Sequence, residues 1–178
     1  MALIGACWVA LAACSTGTNE ADTALAKADA DDLGYLARGA QIIETRADGK
    51  PRFRLTAETI TQPASSRDVQ MQKVAMNLAD DSGAQWQLSA DSGQMPPDAR
   101  RIELAGDVLI RGEAGSAREP LEIRTAELTY DVENERATSS VDVTILLTGK
   151  RLEARGLDAN MKDRQVRLES KVHGRFIP

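Results

Sequence analysis

The chain has 178 residues, with 22 basic and 27 acidic side chains, a net charge of −5 and only two each of Trp, Tyr and Phe. That length supports one domain with appendages and a core that needs no disulfide, while the acidic balance argues against a nucleic-acid binder, which would present a basic surface. Both cysteines, Cys7 and Cys14, lie in the N-terminal apolar stretch, so the remainder is held by Leu, Ile, Val, Met and Ala packing alone.

Met1 to Ala13 is apolar or small throughout, but shorter than the ~20 residues of a comfortable membrane span. Residues 1–14 read as an anchor or signal segment. Three forms are open: a lipobox-like Leu11-Ala12-Ala13-Cys14 with Cys14 lipidated, the outer part of a transmembrane helix, or a cleaved signal. Residues 15–33 are small, polar and acidic, the composition of a flexible tether. Residues 34–178 form the domain.

Within it, Ala40–Thr45 predicts a strand, and Ala47-Asp48-Gly49-Lys50 a hairpin turn that needs positive φ. Phe53, Leu55 and Ala57 alternate with polar neighbours, as a half-buried strand requires. Pro63–Ser66 breaks the chain. Val69 and Met71 alternate, and Val74, Met76 and Leu78 resume with the phase shifted by one residue. Asp80–Gly83 is a turn. Trp86, Leu88 and Ala90 form the next run, followed by a connection from Ser92 to Asp98 that contains Pro96-Pro97. Ile102, Leu104, Val108 and Ile110 form a strand with a kink or bulge at Gly106. After a loop over Glu113–Pro120 come Leu121, Ile123, Leu128 and Tyr130, then a turn at Glu133–Glu135. Val141, Val143, Ile145 and Leu147 alternate strictly. Turns at Gly149-Lys150 and Lys162–Arg164 separate the last strands. No segment past the N-terminus shows sustained helical periodicity, and turns fall every 8 to 14 residues. This is an all-β sandwich, roll or barrel.

A weak unit recurs: apolar-x-apolar-x-small-acidic. It stands at Phe53–Glu58, Trp86–Asp91 and Leu121–Glu127, with a degenerate copy at Leu152–Gly156. The anchors Ala57, Ala90 and Thr125 are 33 and 35 residues apart, which suggests stacked, similar supersecondary units. A roll built this way has one groove along it and two end strands whose backbone groups are free for strand addition. The carboxylates that recur with the unit, Glu58 and Asp91, read as outward or turn-capping groups, as does Asp107.

Catalysis is not expected. His173 is the only histidine and reads as a solvated surface residue. No spacing resembles a metal site, and no glycine motif for a nucleotide is present; no cofactor is expected.

The hairpin TRADGKPRFRLTAE, the WQLSAD…IELAGDV unit and the ending LEARGLDANM, behind an apolar segment and acidic tether, resemble the LptC family of lipopolysaccharide export proteins over roughly residues 35 to 175. The resemblance implies an open, twisted β-jellyroll of repeated antiparallel strands, with an N-terminal anchor in the inner membrane and the β-domain in the periplasm. It implies that lipopolysaccharide arrives from an inner-membrane ABC transporter and passes to the bridge protein LptA at the C-terminal edge. It also implies functional glycines at Gly49 and Gly106. The acyl chains would lie against the inward-facing side chains, for which Phe53, Leu55, Met71, Met76, Trp86, Leu88, Leu104, Ile110, Ile123, Val143 and Ile145 are the candidates. The alternative is a structural or lipid-binding β-domain lipoprotein with no transport role.

Overall fold

The computed structural model describes residues 33–79, 85–98, 100–114 and 119–176. The anchor, the tether up to residue 32, Cys14 and the expected Asp80–Gly83 turn lie outside the described residues. Among the described residues there are nine strands: β1 (Leu33–Thr45), β2 (Pro51–Pro63), β3 (Val69–Ala79), β4 (Gln85–Met95), β5 (Arg101–Ala114), β6 (Glu119–Asp131), β7 (Arg136–Leu147), β8 (Lys150–Asn160) and β9 (Gln165–Phe176). They form one antiparallel sheet in chain order, each pairing with its sequence neighbours. The sheet is therefore open, with β1 and β9 as its two edges.

A single sheet can bury a face only by folding over itself, and the sequence supplies the fold line. Near the middle of each strand the regular ladder is interrupted. Bulges or gaps fall between Ser89 and Ser92, Ala105 and Val108, Thr125 and Thr129, Ser139 and Asp142, and Glu153 and Arg155. Gly39, Lys73, Gly106, Asp107, Gly156 and Lys171 take positive φ along the same line. The interruptions are neighbours in register, so they form one crease crossing the strands. At the crease the inward side chains skip three residues instead of two, as from Ala57 to Ile60, Met71 to Val74, Ala90 to Gly93, Thr125 to Leu128 and Ala154 to Leu157. In β5 and β7 they skip four, from Leu104 to Val108 and from Ser139 to Val143. The slip keeps the apolar set on the concave face of both halves while the strand bends.

This explains two expectations at once. The phase shift between Met71 and Val74 is the crease passing through Lys73, and the kink at Gly106 is the crease in β5. Gly106 has φ of +76°, and a Cβ there would come within 2.8 Å of the Asp91 side chain, so β4 and β5 approach closely at that point. The recurring small-acidic unit is also the crease. Lys73 lies between Asp91, to which it donates at 2.7 Å, and the field of Glu58 and Asp107. These carboxylates sit on the convex side.

Several boundaries differ from expectation: β5 and β6 run into the expected Glu113–Pro120 loop, and Lys150, expected in a turn, opens β8. Strand β1 begins at Leu33, seven residues ahead of Ala40. Strand β4 runs through Ser92–Met95, which the turn-forming residues had assigned to the connection. Gly93 is inward there, and Met71, Val74 and Leu104 fill the space a side chain would take. A glycine in this strand is thus a packing choice.

Bulges orphan backbone groups, and hydroxyls answer them. The Ser92 hydroxyl donates to the Ala105 carbonyl at 3.3 Å and that of Ser170 to the Arg155 carbonyl at 3.0 Å. Thr125 and Ser139, both buried, lie at the crease with their hydroxyls 3.1 Å apart, and Thr125 Oγ1 donates to the Asp142 carbonyl at 3.0 Å. The buried Thr125 and Ser139 hydroxyls are thereby satisfied.

The folding is closed by contacts between distant strands. Arg46, in the β1–β2 turn, donates to Glu135 Oε1 in the β6–β7 turn at 3.0 Å. Arg52 on β2 donates to the Val132 carbonyl at 3.4 Å and to Glu44 Oε1 at 3.3 Å. In a flat sheet β2 and β6 would be four strand spacings apart, about 19 Å. Tyr130 lies beneath these groups, 1% exposed, and burial raises its phenol pKa above the ordinary value, with Glu135 adding to the effect.

Candidate functional site

The interior is built of rungs that run across the strands. In register, Ile42 faces Leu55, then Met76, Leu88, Ile110, Ile123, Ile145 and Leu152. This row crosses the sheet from one edge strand to the last strand but one without a polar side chain. Its ends, Ile42 and Leu152, are only partly buried. A second row on the other side of the crease joins Ile60, Met71, Gly93, Leu104 and Leu128. A third joins Phe53, Leu78 and Trp86, and reaches Leu121 and Leu147 through Gly112.

All eleven candidate residues fall within these rows or against them, and all are at most 3% exposed in one continuous cluster. Phe53, Leu55, Met76, Trp86, Leu88, Ile110, Ile123, Val143 and Ile145 line the half that carries the β1–β2 turn. Met71 and Leu104 line the other half. Their side chains pack against each other. The candidate set leaves out residues that are equally deep: Ile102, Leu128, Tyr130 and Leu157. Alternation marks Ile102 and Tyr130 as inward, but depth depends on register, which a sequence does not display.

Gly112 carried no signal in the sequence. A Cβ on it would lie 2.1 Å from a ring carbon of Trp86. The indole therefore lies flat over the bare β5 backbone, an aromatic-over-glycine pair across strands. Of the two glycines expected to matter, Gly106 sits at the crease. Gly49 has φ of +83° with open space around its Cα. It donates to the Arg46 carbonyl at 2.9 Å, so it shapes the turn that presents Arg46 to Glu135.

The edges differ from the interior. Among the described residues, the large exposed apolar side chains are Tyr35, Leu36 and Ile43 on β1 and Val172 and Phe176 on β9. His173 is exposed on β9. Among the described residues, no group of three His, Cys, Asp or Glu is placed to hold a metal, and no helix is long and apolar enough to cross a membrane.

The outward face carries paired charges. Arg124, then Arg111, hold the Glu122 carboxyl below the usual range. The Asn134 backbone N–H and side chain do the same for Asp131, and Arg136 for Asp158. All three are depressed in the folded state, so the folded chain binds fewer protons than the unfolded chain in acid. Their contribution is present above the unfolded values of 3.8 and 4.5 and disappears as pH falls through the folded values. The melting temperature should hold level from neutral pH down to about 5 and then fall, with a shallower fall in Asp131→Asn. A melting series against pH checks this; an unchanged acid slope in the variant would contradict it.

The fold and its interior define a class of protein: an open β-jellyroll with one apolar interior and two free edges. The family model for lipopolysaccharide-assembly, LptC-related proteins matches residues 1–177, and the chain belongs to this family, with a role in lipopolysaccharide transport. Among solved structures it is similar to the crystal structure of LptH, the LptA homologous periplasmic component of the conserved lipopolysaccharide transport device from Pseudomonas aeruginosa. The TM-score is 0.56 at 8% identity, over 71% of this chain and 95% of that one. At that identity the likeness is one of fold. No curated protein matches the chain.

Proposed function

We propose that the roll carries lipopolysaccharide by its acyl chains, receiving it from an inner-membrane ABC transporter and passing it to an LptA-type bridge protein. The observation that carries this reading is the apolar row from Ile42 to Leu152, which runs along the roll from the open edge at β1 to β8, the neighbour of the other edge strand. Acyl chains cannot cross water unshielded, and each buried CH₂ is worth ~0.8 kcal/mol. Aliphatic rows with Met76 and Met71 among them suit a cargo that must slide on and leave, since thioether side chains adapt their shape. No catalytic step is required of the chain. The apolar segment Met1–Ala13 anchors it at the inner membrane and the β-domain stands in the periplasm. The bridge protein adds its first strand to β9, whose free backbone edge is flanked by Val172 and Phe176.

Photo-crosslinking in cells that make lipopolysaccharide tests this. A benzophenone side chain at Leu55 or Met71 should give lipopolysaccharide adducts, and one at the outward Gln87 should not. The same group at Phe176 should trap the bridge protein, and at Ile43 on β1 it should not. A purely structural β-domain predicts no lipid adducts from Leu55 or Met71, and adducts from Gln87 alone would sink the groove.

A further inference from the structure

Trp86 is 2% exposed, and its indole N–H has no acceptor within the described structure. Buried donors almost always find a partner, and an orphan calls for an explanation. The buried hydroxyls at the crease obey the rule, for Thr125 and Ser139 lie within hydrogen-bond distance of each other and Thr125 donates to the Asp142 carbonyl. Elsewhere on the inner rows the aromatic position is filled by Phe53, which has nothing to satisfy. An indole supplies the same apolar area plus one donor.

The donor's place is fixed. Trp86 is the second residue of β4, so it stands near the end of its strand, at the border between the rim and the aliphatic rows. Gly112 holds the ring flat, because any Cβ there would fall inside it. The N–H is thus held in one orientation in an apolar setting.

We propose that the Trp86 indole N–H is the hydrogen-bond donor to an acyl carbonyl, the ester or amide linkage of a bound acyl chain. This rests on the reading of the interior as an acyl-chain groove and names the group that registers the chain within it. The acceptor must be neutral, since an ion would not leave water for this interior without a countercharge. It must also be attached directly to the apolar chain that fills the adjoining row. A carbonyl at the head of an acyl chain meets both conditions, and a phosphate or sugar does not. One carbonyl engaged at Trp86 places the chain beyond it along Leu88, Ile110 and Ile123.

The test uses the full-length chain with nitrogen-15-labelled tryptophan, held in dodecyl maltoside, whose alkyl chain carries no carbonyl. The Trp86 indole resonance is identified by its loss in Trp86→Phe. Lipid A should move its proton downfield, and a dialkyl ether phospholipid should leave it in place. Trp86→Phe should weaken lipid A binding about fivefold more than it weakens binding of the ether lipid, the size of one neutral hydrogen bond. An indole unmoved by bound lipid A overturns the proposal while the groove stands. Equal weakening for the two lipids also overturns it. If neither lipid binds the wild-type chain, the groove reading falls and takes the proposal with it.

Discussion

Gly112→Val should cost about 3–5 kcal/mol of stability, the loss expected when a buried Trp side chain is no longer held in a core. The substitution puts a Cβ 2.1 Å from one ring carbon of Trp86 and 2.5 Å from another. Real atoms do not approach that closely, so the indole must turn out of its place or the β4–β5 ladder must part. The ring is bounded by Leu78 on β3 and the β5 backbone, which leaves no low-cost alternative rotamer inside. Chemical denaturation followed by circular dichroism measures the loss. A double-mutant cycle isolates its cause. Trp86→Ala alone leaves a cavity and is also costly, but in Trp86→Ala/Gly112→Val the valine occupies space the ring has left. The pair should be less destabilised than the sum by about 2–3 kcal/mol, the upper range for residues in contact. An additive cycle would mean that the ring does not rest on Gly112.

That pair shows where sequence reasoning reaches its end. Trp86 is conspicuous as an aromatic at the head of an alternating run. Gly112 looks like one more loop-forming residue before Gly115, and only the β4–β5 register brings the two together. The strands themselves were legible because inward and outward residues alternate along each of them. Even the crease left a mark, in the phase slip at Met71 and Val74 and in the glycine at position 106. It misled where small residues occupied strand positions: Ser92-Gly93 has turn chemistry, but Gly93 is small because Met71, Val74 and Leu104 meet over it. In β9 the pattern fades for another reason. Residues 169–176 are exposed on both faces, so nothing selects an alternation there, as expected of an edge. The rows of the interior are the least legible feature, since each is a property of several strands in register and of no single run.

The contact between Arg46 and Glu135 was equally hidden, because its partners are 89 residues apart and each looks like an ordinary turn charge. Both side chains are largely covered, at 16% and 17% exposure. Glu135→Lys replaces this attraction with repulsion between two mostly buried cations. Breaking a fully buried pair costs about 3–5 kcal/mol, so a partly covered one should cost about 2–3 kcal/mol. Beyond stability, the location decides what is lost. Arg46 and Arg52 join the β1–β2 hairpin to the β6–β7 turn across the mouth of the roll, so their loss releases one wall while the β3–β5 ladder stays intact. Hydrogen exchange should therefore quicken at β1 and β2 in Glu135→Lys and stay unchanged at β4 and β5. The swapped pair, Arg46→Glu with Glu135→Lys, should recover most of the protection. A roll whose inward side chains pack against each other has to part its walls to admit an acyl chain, and this pair spans the two walls. Lipid adducts at Leu55 should accordingly form faster in Glu135→Lys than in the wild type. Uniform exchange across all nine strands in the variant would instead show that the two turns hold the whole sheet together and do not act as a clasp on one side of it.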